Sequence, residues 1–171
     1  MTAATGGFSY DLGDFRHSNY RLLPMNPDWA ASFGDRLARI DPWLKLDYSS
    51  QALCRYFSAT GQGRHAIAVL AGEIPAACLA VRPNWLRGPL LEVLAVLPEF
   101  QGCGLGREII AWLVAQTQRE QGGNLWTISS EFNRPAREFY RLQGFEVVGT
   151  LPGLICTDET EMLLRLRLNR R

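Results

Sequence analysis

Apolar residues change their spacing several times along this chain. Trp29, Phe33, Leu37 and Ile40 recur at every third or fourth position, which predicts one face of a helix that Pro27 and Asp28 open and Asp41-Pro42 close. Leu53, Tyr56 and Phe57 predict a second helix, capped by Ser49 or Ser50 and released at Gly61-Gln62-Gly63. From His65 the texture turns to short runs rich in Val, Ile and Ala. His65–Ala71, Ile74–Val81 and Leu90–Leu97 read as strands, the first two joined by a Gly72-Glu73 turn. Beyond Pro98 and a glycine-rich segment, Ile109, Ile110, Leu113 and Val114 restore helical spacing for about four turns, until Gly122-Gly123. Leu125–Ser129 is a strand, Asn133 caps a short helix ending near Gly144, and Phe145–Gly149 is extended. In the last strand, Met162–Leu168, leucines 164, 166 and 168 alternate with Arg165 and Arg167, the pattern of one buried face. With a short strand at Tyr20–Leu23 the order is β-α-α-β-β-β-α-β-α-β-β. It predicts an α/β fold of the α+β kind, built on one mixed sheet without repeats or linkers.

The 171 residues suit a single domain, taken as 19–171 behind a flexible segment 1–18. Apolar residues at 47% supply a full core. Eighteen basic against seventeen acidic side chains give a net charge of +1, too small a field to point to nucleic acid. Cys54, Cys78, Cys103 and Cys156 form no C-x-x-C pair and only His17 and His65 could join them, so neither a metal nor a disulfide is expected. Residues 1–18 lack the regions of a signal peptide, and no apolar run reaches the roughly 18 residues of a membrane span. These features favour a reducing, cytoplasmic compartment.

The chemistry-bearing segment is Val96-Leu97-Pro98-Glu99-Phe100-Gln101-Gly102-Cys103-Gly104-Leu105-Gly106-Arg107, where a strand passes to a helix through three alternate glycines. Glycine tolerates positive φ and has no Cβ, so successive N–H groups can converge on phosphate oxygens at the positive end of the helix, with Arg107 adding charge. The same glycines would also serve a plain tight turn. A P-loop needs Gly-Lys-Ser or Gly-Lys-Thr, whereas Arg107-Glu108 follows Gly106. A dinucleotide fingerprint belongs after the first strand of a βαβ unit, and this loop sits mid-chain behind a hairpin.

Gln101-Gly102-Cys103-Gly104-Leu105-Gly106 resembles the Q/R-x-x-G-x-G/A coenzyme A signature of the GNAT superfamily of N-acyltransferases. Asn133-Arg134-Pro135-Ala136-Arg137-Glu138-Phe139-Tyr140-Arg141-Leu142-Gln143-Gly144-Phe145 is similar to that family's N-x-x-A-x-x-F-Y-x-x-x-G-F segment. The resemblance runs from about residue 20 to 168 and is specific between 90 and 145. It implies transfer of an acetyl group from acetyl-CoA, the cosubstrate, directly to a primary amine: a peptide N-terminus, a lysine or a small molecule. It further implies pyrophosphate binding by the amides of Gly102 to Arg107 with Gln101, and a bulged fourth strand whose Leu94, Ala95 and Val96 pair with the pantetheine arm. Leu94 or Ala95 would supply an N–H to the thioester oxygen, and Asn133, Ala136, Phe139 and Tyr140 would touch the cofactor.

Tyr140 is the expected general acid, since a phenol titrating near 10 stays protonated at neutral pH and can protonate a departing thiolate of pKa about 8.5. Phe139 and Tyr140 also suit a core. Glu92 is the expected base, placed by period-two alternation on the side of Leu90 and Leu94; a salt bridge to Arg82 or Arg87 is the other reading. Cys103 reads as a bystander thiol rather than a nucleophile. Some bacterial relatives that acetylate a ribosomal protein N-terminus carry a glutamate on strand five where Ile128 stands here, so acceptor choice falls to the N-terminal helices and the loops near Trp43, Tyr48, Trp85 and 153–161. Asp158, Glu159 and Glu161 either attract a cationic amine or form a solvated acidic turn. A non-catalytic acyl-CoA sensor or assembly module on the same fold is the alternative function, and exposed strand edges leave room for a homodimer.

Overall fold

A computed structural model describes residues 10–59 and 63–168. Seven strands form one sheet in the order β1-β2-β3-β4-β5-β7-β6. They are β1 (Tyr20–Pro24), β2 (His65–Ala71), β3 (Ile74–Trp85), β4 (Gly88–Val96), β5 (Asn124–Ser130), β6 (Glu146–Pro152) and β7 (Thr160–Arg167). Every neighbouring pair is antiparallel except β4 with β5. Four helices, α1 (Pro27–Leu37), α2 (Ser50–Ser58), α3 (Leu105–Arg119) and α4 (Arg134–Leu142), complete the order predicted from the spacing of apolar residues.

Alternation along the strands builds two core layers. On one face Ile67, Val69, Leu79, Val81, Leu91, Leu125 and Leu164 pack under α3 and α4 with Ile109, Leu113 and Tyr140. On the other, Ala68, Leu70, Cys78, Ala80, Ala95 and Leu97 pack under α1 and α2 with Phe33, Leu37, Leu53 and Phe57. The caps follow sequence: Asn26 accepts the Trp29 N–H at 2.8 Å, Ser49 that of Ala52 at 3.1 Å, and Asn133 that of Ala136 at 3.3 Å.

Several details depart from the sequence reading. Helix α1 closes at Leu37 with Ala38 as its cap, so Ile40 lies in the following turns rather than on the helical face. Strand β3 continues four residues beyond Val81, to Trp85, and pairs Trp85 with Gly88. An added Cβ at Gly88 would lie 1.9 Å from the Asn124 carbonyl oxygen, so only glycine lets β4 start this close to β5. Of the segment expected to be flexible, residues 1–9 lie outside the described residues, and residues 10–15 are tied to α3. The Trp112 indole N–H donates to the Asp11 carbonyl at 3.1 Å, Asp14 pairs with Arg119, and Phe15 is buried in the α3 layer. Aromatic burial and a helix-borne partner there offset the weak periodicity.

The bulge of β4 also differs from the expected place. Ala80 faces Val93 but Val81 faces Leu91, which leaves Glu92 as the extra residue, while Leu94, Ala95 and Val96 pair regularly with Leu79, Cys78 and Ala77. The bulge breaks the period-two reading. Leu94 stays on the α3 side with Leu79, whereas Glu92 turns with Val93 toward α2.

Candidate active site

Parallel strands β4 and β5 pair through only two positions, Leu90 with Trp126 and Leu91 with Thr127. Beyond them β4 runs on to Val96 and β5 to Ser130, and the two strands part. The edge of β4 from Leu94 to Val96 therefore opens on a cleft of about 940 Å³, a volume that suits an extended cosubstrate. Such an edge is a ready template for a ligand that hydrogen-bonds like an added strand. Leu94, Ala95, Val96, Gln101 to Arg107, Asn133, Ala136, Phe139 and Tyr140 all line the cleft, so two distant motifs meet in one space.

Its upper wall is the glycine loop. Gly102 and Gly104 take φ of 77° and 89°, a left-handed region that a side chain would strain, and the Gln101 side-chain Nε2 donates to the Val96 carbonyl at 2.8 Å, tying the loop to β4. Gly104 caps α3 with no side chain, and the first helical bond runs from the Glu108 N–H to the Gly104 carbonyl. The amides ahead of Glu108 thus lie outside the helical ladder, at the positive end of a 15-residue helix, which is a favourable place for a phosphate. A Cβ on Gly106 would meet the Phe139 ring at 3.2 Å, so this glycine lets α3 and α4 close up behind the cleft. Cys103 turns sideways: its thiol donates to the Phe100 carbonyl at 3.0 Å and lies 3.6 Å from the Tyr20 hydroxyl, which holds the thiol below its ordinary pKa.

Tyr140 sits on α4 behind the parting of the strands. Its ring packs between Phe139 and Phe145, with centroids 5.2 and 5.3 Å away, and only 6% of the residue is exposed. Burial pushes its hydroxyl up to about 12, with a smaller opposing contribution from the Thr127 side chain. A phenol that stays protonated at the parting of β4 and β5 is equipped to donate a proton there.

Glu92 does not line the cleft. Its Oε1 accepts from Arg82 Nε at 2.7 Å, its Oε2 accepts from the Tyr56 hydroxyl at 2.6 Å, and Arg64, whose side chain is only 7% exposed, lies 3.6 Å from Oε2. The Arg64 guanidinium also lies over the Tyr56 ring at 3.9 Å and donates to the Tyr56 carbonyl at 2.8 Å. Both carboxylate oxygens are thus committed, in the salt-bridge arrangement read from sequence with Arg82 as one partner.

The acetyltransferase (GNAT) family model matches residues 27–145, a span that contains α1, the parted strands, the glycine loop and all of α4. The chain belongs to the GNAT family. It is an acyltransferase. Among solved structures it is similar in fold to an acetyltransferase from Thermus thermophilus, at 20% identity over 88% of this chain and 97% of that one with a TM-score of 0.71. It is similar also to the ribosomal-protein-S18-alanine N-acetyltransferase of Escherichia coli, at 18% identity over 89% and 96% with a TM-score of 0.68. A third, an aminoglycoside 6'-N-acetyltransferase complexed with coenzyme A, shares 15% identity over 88% and 98% with a TM-score of 0.69. A comparison with curated protein sequences finds no match.

Within this GNAT chain the sequence reading missed part of the cleft wall. Ile40, Asp41 and Pro42 join Trp43 on one side, and Phe132 and Gln143 on the other. Ile40 to Pro42 and Phe132 lie in the turns after α1 and β5, outside any motif, and Gln143 falls on an unspecified position of the second motif at the end of α4, so only the fold brings them to the cleft. Lys45 links the two sides: its ammonium lies 3.7 Å from the centre of the Phe132 ring and 3.1 Å from Glu159. Trp85 is at the opposite end of β4 from the loop and contributes nothing to the cleft. Among the described residues no cluster of three His, Cys, Asp or Glu could hold a metal, and no helix is long and apolar enough to cross a membrane.

Because Glu92 neutralises two guanidinium groups, Glu92→Gln is expected to lower stability by about 1.5–3 kcal/mol, the range for a lost charge-assisted bond, and to leave acetyl-CoA affinity within about twofold. Chemical denaturation beside equilibrium binding checks both. A selective loss of turnover at unchanged stability would return Glu92 to the role of base.

Proposed function

We propose that this acetyltransferase moves the acetyl group of acetyl-CoA directly to a primary amine. The observation that carries the reading is the convergence, in the space where β4 and β5 part, of the uncapped α3 N-terminus, the free edge of β4 and the Tyr140 hydroxyl. Acetyl-CoA supplies an activated thioester when bound. The amides of the Gly102–Arg107 loop hold its pyrophosphate, and Leu94 to Val96 align the pantetheine arm as an added strand. An N–H of Leu94 or Ala95 faces the carbonyl oxygen as negative charge develops on it. Tyr140 gives its proton to the departing sulfur and recovers one from the amine nitrogen, directly or through water. Asn133 caps α4 and orients it against the same ligand.

The locked position of Glu92 favours a second reading, a fold of this family that binds acyl-CoA without turning it over. Mass spectrometry separates the two. Direct transfer adds one acetyl group to the amine and leaves the protein unmodified after mixing with acetyl-CoA alone; an amine that gains no acetyl group supports binding without turnover, and an acetylated Cys103 would contradict direct transfer.

A further inference from the structure

Glu161 is a carboxylate that the mechanism above does not use. It is the second residue of β7, opposite Ser130 of β5 and Leu151 of β6. Alternation sends Met162 and Leu164 into the layer under α3 and α4, so Glu161 and Leu163 lie on the other face of the sheet, the α2 side. Among the described residues, the core layer beneath α1 and α2 contains residues of β1 to β4 and none of β5 or β7. Beyond the parting of the strands, the α2 side of β5 and β7 is therefore a lane beside the cleft, with Ile128 and Leu163 half-buried along it. The opposite face is filled by α3 and α4, whereas Ile40 to Trp43 and Ala95 bring a wall of the cleft onto this α2 side, next to the lane.

At the end of the lane Glu161 is only 2% exposed. Its Oε1 accepts from the Ser130 hydroxyl at 2.9 Å, and among the described residues no basic side chain forms an ion pair with it. Lys45, from the connection between α1 and α2, is committed to Glu159 and to the Phe132 ring. The other groups facing Glu161 are Tyr48 from the same connection, whose hydroxyl is raised in part by the charge of Glu161, and Glu159 from the β6–β7 loop. Burial first, and then Glu159, push the Glu161 carboxyl above its usual range. A covered carboxylate with a hydroxyl as its partner is costly to ionise unless a cation arrives from outside.

Register places that cation. Leu91 and Thr127 are paired and Glu92 is the extra residue of β4, so Ala95, not Leu94, stands level with Ser130 across the split, on the same α2 side, and Glu161 stands beside Ser130. The carboxylate is one strand removed from β5, level with the amides that face the thioester oxygen. It is not in line with the reacting centre. An amine held in an ion pair by a covered carboxylate stays protonated and is no nucleophile, so the group Glu161 holds is not the one that reacts.

We propose that Glu161 binds a second ammonium group of the acceptor, so that this acetyltransferase prefers di- and polyamines to monoamines. The proposal rests on the acetyl transfer reading given above, and two readouts keep their failures apart. Initial rates of thiol release from acetyl-CoA are measured with spermidine and with butylamine, for the wild type, Glu161→Gln and Glu161→Asp. Calorimetry then follows spermidine binding to the CoA-loaded protein for the same variants, with thermal melts to confirm folding. The expected kcat/KM for spermidine exceeds that for butylamine by about tenfold or more, the worth of one charge-assisted bond. Glu161→Gln removes this preference through KM for spermidine while KM for acetyl-CoA is unchanged, and Glu161→Asp restores it in part. Spermidine binding that depends on Glu161 without any turnover would uphold the proposal and overturn the transfer reading. Equal kcat/KM for the two amines, or spermidine binding and turnover indifferent to both substitutions, would overturn the proposal.

Discussion

Tyr140→Phe is expected to lower kcat by about 10²-fold or more while acetyl-CoA affinity stays within about twofold. The substitution keeps the ring against Phe139 and Phe145 and removes only the hydroxyl with its interaction with the Thr127 side chain, so the packing of the α3 layer is kept. Stopped-assay rates at saturating acetyl-CoA, paired with equilibrium binding, check both halves. The pH dependence follows from the raised phenol. With Tyr140 pushed up to about 12, its proton is retained throughout the working range, so no loss of acid function falls below about pH 10. Activity of the wild type should instead rise with pH as the amine acceptor loses its own proton, an α-amine near 8 and a lysine near 10.4. A descending limb between pH 7 and 9 would mean that another group donates the proton.

Gly104→Val is expected to weaken acetyl-CoA binding by about 100-fold or more. Gly104 holds φ of 89°, where a β-branched residue is strained by roughly 1–3 kcal/mol, and relief of that strain rotates the very amides proposed above to hold the pyrophosphate. Losing two charge-assisted bonds at about 1.5–3 kcal/mol each accounts for the loss. Gly72, with φ of 61° in the β2–β3 hairpin, is the control: Gly72→Val carries comparable backbone strain with no part in the cleft. Calorimetric titration of both variants with acetyl-CoA separates the effects. An equal fall in affinity for the two would show that the loop acts through stability alone.

The sequence carried the fold because apolar periodicity and the turn residues agree at every level. The order of eleven strands and helices is legible in the spacing from Tyr20 to Leu168, and the residues expected to contact coenzyme A all reach one cleft because both motifs lie at strand or helix ends. What stayed hidden depends on contacts between distant elements. A one-residue bulge at Glu92 puts Glu92 and Leu94 on opposite faces, and alternation alone cannot register an extra residue. Ile40 matches helical spacing, yet α1 ends at Leu37 and Ile40 joins the cleft. In sequence, Glu161 reads with Asp158 and Glu159 either as an attractor for a cationic amine or as part of a solvated acidic turn. Its place at the start of β7, opposite Ser130, buries it instead.

The central claim, that the space between β4 and β5 presents acetyl-CoA to an amine, is tested most directly by thiol release from acetyl-CoA over a panel of peptide N-termini, polyamines, aminoglycosides and amino acids. Release that requires an amine and collapses in Tyr140→Phe is the predicted result. Tight acetyl-CoA binding with no release for any amine would contradict it and leave the chain a binding module on this fold.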